Sequence, residues 1–233
     1  SVVDLGKAAR RDWAALITDL LSNGYFSKIA PEECVDGDAL DRPEVVLERE
    51  LSSRLGRPGL FPHDDPDGWP DDAFYGQIEV FHDLVARPRW RSYHDYGNCG
   101  WHYSEFSVRC GRRLYRAKVN EILERNLLPL RLATEGEDTG RLVTTSDEPR
   151  EMLIHRAVSS DVEPDRKSHA VALFRGRGAT TEEKRTACIV LAGLLEQRRD
   201  LVKAEFLSKD EGALFEIMNR FAIRHKDANK KSE

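Results

Sequence analysis

Two helix-start signatures constrain the C-terminal third of this chain more than any other feature. Thr180 is followed three residues later by Glu183, and Ser208 by Glu211. Each pair suits a capping box, in which a hydroxyl and a carboxylate satisfy orphan backbone N–H groups at a helix start. Behind the first, Ala187, Leu191, Leu194, Leu195 and Leu201 recur at helical spacing; behind the second, Leu214, Met218, Phe221 and Ala222 do the same. Two amphipathic helices with a short connection predict a helical hairpin, which is half of a bundle.

The remainder of the chain also reads as mostly helical. Leu5, Ala9, Trp13, Ile17 and Leu20 predict an amphipathic helix from Asp4 to about Ile29, interrupted at Gly24 and ended near Pro31, with a loop over 34–41. Pro43 suits the first turn of a helix that Gly56 closes after Leu55. The turn-rich GRPGLFPHDDPDGWPDD is a connector anchored by Leu60, Phe61 and Trp69, or a loop that gates or docks a ligand. Helical spacing resumes from Phe74 to Ala86 and from Ser104 to about Asn126, the latter with Arg109, Arg112, Arg113 and Arg116 around its polar surface. Leu130 to Ser146 places LRLAT and RLVTT on either side of EGEDTG, a β-hairpin pattern and the only strand signal read in the chain. Helices are expected over 148–158 and, briefly, from His169 to Phe174.

The fold class that follows is mainly α: a helical bundle with a β-hairpin insertion and a C-terminal helical hairpin. Its expected divisions are an N-terminal helical region over 1–129, the hairpin insertion over 130–146 and the C-terminal helical region over 147–233.

Charge and composition narrow the function classes. A net charge of -5 excludes a chain that is basic all over and leaves room for a local basic site. No apolar run reaches the roughly 18–20 residues of a membrane span, and there is no signal-peptide pattern, so no membrane is expected and the compartment is read as cytoplasmic. Cys34, Cys99, Cys110 and Cys188 form no Cys-x-x-Cys pair and are read as reduced thiols. No nucleophile elbow, P-loop or dinucleotide-binding glycine motif is present.

One stretch, WRSYHDYGNCGWHYSEF, holds the spacing Cys99-x-x-His102, which can open a zinc site. A closed site needs four ligands; His94 and Cys110 are candidates for the others, but no second close pair is evident, and the expectation is no metal. Trp90, Tyr93, Tyr96 and Trp101 could form a stacking platform for RNA bases, with packing over neighbouring helices as the favoured reading.

Arg220-Phe-Ala-Ile-Arg224-His225 fits an arginine, four residues, then a histidine. With the preceding TTEEKRTACIVLAGLLEQRRDLVKAEFLSKDEGALFEIMN, it resembles the tail of HEPN domains of the prokaryotic abortive-infection (AbiJ-like) type. The motif covers about the last fifth of the chain, and a looser likeness runs through CGWHYSEF and YRAKVNEIL. The resemblance implies a metal-independent endoribonuclease of a defence or toxin system, without cofactors, acting on RNA as a homodimer with a possible antitoxin or defence-system partner. Its alternative is a non-catalytic HEPN-like interaction or regulatory module. Related sequences tend to continue into an aromatic-rich helix, so the chain is expected to be truncated after DANKKSE.

Residue chemistry assigns the roles. His225, with an ordinary pKa near 6.5, would be the acid/base, and Arg220 or Arg224 would stabilise the phosphate. Glu196, Arg199 and Asn219 would support the site, and Arg198 and Lys226 would contact RNA. At about 100° per residue Arg220 and His225 point roughly 140° apart, so a second protomer would have to complete the site. The structural alternative is a helix end whose His225 and Lys226 meet the helix dipole favourably.

Overall fold

The structure is a computed structural model that describes residues 5–35, 41–145, 152, 153, 156, 164–205 and 208–229, with residues 5, 98, 164, 208 and 220–229 described by backbone alone. Its elements are α1 (Leu5–Ser22), α2 (Pro43–Leu55), α3 (Asp71–Leu84), β1 (Arg87–His94), β2 (Gly100–Ser107), α4 (Val108–Arg125), β3 (Leu130–Leu132), β4 (Leu142–Thr144), α5 (Pro164–Arg175), α6 (Thr181–Glu196), α7 (Arg199–Glu205) and α8 (Ser208–Asn229). The fold is mainly α with two antiparallel hairpins, β1–β2 and β3–β4. The chain divides into two compact units: residues 1–134 with 139–145, and residues 135–138 with 146–233. No described helix is long and apolar enough to cross a membrane.

The first unit is built around Trp13, which is fully buried on α1. The rings of His63, Trp69, Phe74 and Phe81 surround it at 5.0–5.9 Å. Its indole N–H donates to the Tyr115 hydroxyl at 2.9 Å, and that hydroxyl donates to the Ile78 carbonyl at 3.0 Å, so one buried group ties α1, α3 and α4 together. The proline-rich connector is an ordered anchor: Leu60 and Phe61 are buried, and the Glu48 carboxylate accepts the backbone N–H groups of Gly59, Leu60 and Phe61 at 2.6, 3.0 and 2.8 Å. Burial alone would raise the Glu48 pKa; the hydrogen bonds from Ser52, Gly59, Phe61 and Leu60 together hold it below its ordinary value.

The β3–β4 hairpin forms as expected, with Leu130 opposite Thr144 and Leu132 opposite Leu142. The longer β1–β2 ribbon corrects the sequence reading, which found no strand there and began the α4 helix at Ser104; the backbone stays in strand to Ser107. Arginines and aromatics alternate in this ribbon, and neither strand has a buried residue. The apolar-in, polar-out period that betrays a half-buried strand is therefore missing. Trp90, Tyr93, Tyr96 and Trp101 are 64%, 58%, 75% and 43% exposed, which also overturns their expected packing over helices.

In the second unit Thr180 and Glu183 form their capping box, with N–H donors at 2.7 and 3.2 Å. The helix expected to run through Leu201 instead ends at Glu196 and restarts at Arg199. The break re-phases the helix, so Val202 is buried and Leu201 is 59% exposed. The capping side chain of Ser208 and most of the helix expected over 148–158 lie outside the described residues.

Candidate metal centre

Four soft or borderline ligands meet where the loop after α1 reaches the tip of the ribbon. One ligand atom each from Cys34, His94, Cys99 and His102 lies within 4.8 Å of the others, and all four residues are half-buried. The Cys34 Sγ to His94 Nδ1 distance is 3.5 Å. Zinc–ligand bonds of 2.0–2.3 Å in a tetrahedron place ligand atoms about 3.3–3.8 Å apart, so small side-chain rotations close the set.

The sequence builds this arrangement from three pieces. His94 ends β1 and His102 lies on β2; because Ser92 pairs with His102 and His94 with Gly100, the two imidazoles are diagonal neighbours on one face, their rings 5.9 Å apart. Between the strands Tyr96–Asn98 turns the chain and delivers Cys99. The turn requires Gly97 at φ +66, and a Cβ there would meet Val35 Cγ1 at 2.6 Å. That close approach seats the Cys34–Val35 segment on the knuckle. Further down, the Tyr103 ring covers Gly24 and its hydroxyl donates to the Ser22 carbonyl at 3.1 Å, while the Ala86 N–H donates to the Tyr25 carbonyl at 2.8 Å.

The surroundings suit a metal. The Val35 backbone N–H donates to Cys99 Sγ at 3.4 Å, an interaction that fixes the direction of the sulfur. His102 Nε2 is buried without a hydrogen-bond partner, a costly state for an imidazole nitrogen and an ordinary one for a ligand atom. Glu32 lies close enough to His102 to feel its charge; burial first, then Glu44, raises the Glu32 pKa, and His102 opposes the shift. Two cysteines and two histidines are the donor set of closed structural zinc sites.

The fourth donor of the quartet, Cys34, lies 60 residues before His94 in a loop and has no spacing signature. Cys110, the candidate named from sequence, is exposed at the start of α4, beyond the far end of β2, and is not in the quartet.

Arg220, Arg224, His225 and Lys226 lie on α8, and their side chains lie outside the described residues. Asn219 is exposed on the same helix. Arg198 sits half-buried in the turn between α6 and α7. Glu196 and Arg199 are brought together at 3.0 Å, and Arg199 also reaches Glu211 at 3.6 Å and covers the Phe215 ring at 4.4 Å. Arg199 thus clasps α7 to the first turns of α8. Of the α4 arginines, Arg112 donates to the Asp83 carbonyl at 2.9 Å and Arg116 to His82 Nε2 at 3.1 Å, whereas Arg109 and Arg113 are exposed.

No family model, no curated protein and no solved structure matches this chain.

Proposed function

We propose that the first unit is a zinc-binding module in which Cys34, His94, Cys99 and His102 hold one Zn²⁺ as a closed structural site. The convergence of those four donors carries the reading. A second observation says what the metal is for. A lone two-stranded hairpin is at best marginally stable in water, and this one buries none of its residues. A cross-link from its tip to the loop after α1 supplies the stability that packing does not, because zinc binding to such donors is worth about 10–16 kcal/mol in small domains.

The test is elemental analysis of the full chain purified without chelator. About one zinc per chain is expected, with tetrahedral thiolate spectra after cobalt exchange. Cys34→Ser and His102→Asn should each lower the zinc content while Cys110→Ser leaves it unchanged. A wild type that takes up no zinc, or a Cys34→Ser/Cys99→Ser chain that retains it fully, refutes the site.

For the second unit the favoured reading is metal-independent RNA cleavage, supported by the Arg220-x4-His225 spacing; because α8 runs unbroken through both positions, the two positions diverge around the helix and a second protomer is needed to complete the site. His225 would move the proton and Arg220 or Arg224 would stabilise the phosphate, in a homodimer that joins two motifs. Self-association is supported by the exposed apolar side chains Leu195, Leu201 and Ile217. Zinc-loaded protein freed of excess metal should cleave RNA, and His225→Ala should lose roughly 10²- to 10⁴-fold of that rate. Unchanged cleavage in His225→Ala removes the assignment, and a wild type inert on RNA leaves the interaction-module alternative.

A further inference from the structure

On the face of the β1–β2 ribbon that carries Arg91, Tyr93, Trp101 and Tyr103, Tyr103 is anchored on Gly24 and the Ser22 carbonyl, whereas Arg91, Tyr93 and Trp101 are left exposed. Strand register puts these three on one side: Tyr93 is directly opposite Trp101, and Arg91 is two residues along. The Tyr93 and Trp101 rings meet edge to face at 5.1 Å, and the Arg91 guanidinium lies over the Trp101 ring at 4.4 Å. Exposing two large rings this way costs solubility unless something covers them.

Arginines extend the same face. Arg87 and Arg89 share the odd-numbered side of β1 with Arg91, at alternate positions about 6.8 Å apart. Arg109 joins them at the start of α4: the Cys110 thiol is held below its ordinary pKa by the Ser107 hydrogen bond first, and by the nearby charges of Arg89, Arg87 and Arg109. Among the described residues several other arginines are paired with carboxylates, as in Arg11–Asp67, Arg125–Asp12 and Arg141–Asp83. Among the described residues Arg87, Arg89, Arg91 and Arg109 make no such pair, although Asp95 and Glu105 belong to the same ribbon. A cluster of uncompensated guanidinium groups in a chain of net charge -5 is local and specific.

We infer that this face binds single-stranded RNA, its bases stacking on Tyr93 and Trp101 and its phosphates held by Arg87, Arg89, Arg91 and Arg109. Rings exposed edge to face offer surfaces that only unstacked bases can use, which favours a single strand over a duplex. Guanidinium groups match phosphate oxygens in a bidentate fork. The choice of RNA over DNA rests on the cleavage reading of the second unit; the binding surface itself does not.

The experiment is fluorescence anisotropy with labelled 12-nucleotide RNA, DNA and duplex RNA, using the zinc-loaded full chain carrying His225→Ala, so that cleavage does not enter. Trp101→Ala should weaken RNA binding about 5- to 100-fold, as loss of one stacking ring does. Arg89→Ala should lower the slope of log affinity against log salt by about 0.7, the single-strand value per phosphate contact. Lys118→Ala, whose side chain pairs with Glu121 on α4, should change neither. Zinc content confirms that each variant keeps its ribbon, and the exposed Arg89→Ala serves should Trp101→Ala lose it. RNA affinity that neither variant alters, tighter binding to the duplex, or equal binding to DNA would each overturn the proposal. The cleavage reading fails separately, by its own His225→Ala comparison of rates.

Discussion

Tyr115→Phe isolates the polar clasp at the centre of the first unit. The Tyr115 side chain is fully buried, and its hydroxyl accepts from Trp13 and donates to Ile78. Burial pushes its ionisation far above the ordinary range, with Trp13 opposing, so the group is a neutral O–H at any working pH. Phenylalanine keeps the ring and removes one oxygen. It leaves the Trp13 N–H and the Ile78 carbonyl buried without that partner, each at about 1–3 kcal/mol, and a loss of roughly 2–4 kcal/mol is expected because a carbonyl with a second lone pair recovers part of its share. The assay is urea unfolding at pH 7 with zinc present, followed by tryptophan emission. Trp13, Trp69, Trp90 and Trp101 all belong to the first unit, so the signal reports that unit alone. A loss below about 0.5 kcal/mol would refute the clasp. So would a Trp13→Phe/Tyr115→Phe double variant whose cost equals the sum of the single ones, since coupled partners are not additive.

Acid should weaken the same unit before its carboxylates titrate. Burial first holds His63 and His82 at about 4, against the opposing hydrogen bonds that Gln77 and Asp83 respectively accept from them. The unfolded chain therefore binds more protons below about 6.5, and the stabilisation, at most about 3 kcal/mol for His82, is complete above that pH and lost as pH falls to about 4. Urea midpoints at pH 7 and 5 check this, and a His63→Gln/His82→Gln chain with the same pH dependence as wild type would refute it. Glu48→Gln removes a charged acceptor from three backbone N–H groups and should cost about 1–3 kcal/mol, with protease cutting within 57–70 accelerated; unchanged proteolysis argues against the anchor. Gly97→Ala forces a side chain into φ +66 and against Val35, and zinc affinity measured against a chromophoric chelator should fall about 5- to 30-fold, corresponding to 1–2 kcal/mol of strain.

The parts of this fold legible in sequence were those whose local signals agree with their burial. Pro43 and Gly56 bound α2 as read, Thr180 and Glu183 cap α6, and the EGEDTG turn joins two short strands. The ribbon was illegible because periodicity reports burial, and Arg89-Trp90-Arg91-Ser92-Tyr93 is exposed on both faces. Cys34 was invisible for a different reason. Ligand spacing is short only when one stretch of chain supplies both donors, as between Cys99 and His102; Cys34 comes from a distant loop that tertiary structure brings back. The break after Glu196 was hidden by continuing helical propensity, while the Arg199 contacts to Glu211 and Phe215 that accompany it lie across the chain.

The ligand count also bears on where chemistry could reside. A catalytic zinc keeps one position open for water or substrate, and activation of that water is its contribution. With four protein donors converging, one of them backed by the Val35 N–H, the proposed ion has no such position and would act by holding the ribbon in place. Hydrolysis would then have to come from groups that need no metal, which is the chemistry proposed for Arg220, Arg224 and His225. The two roles can be separated by time. Chelator added during turnover should leave the initial rate intact, because the ion takes no part in the bond-breaking step. Activity should then decline only as the ribbon opens and RNA affinity falls, so the loss appears in KM before kcat. An immediate fall in kcat on chelation, at saturating RNA, would place the metal in the reaction itself and refute the division of labour.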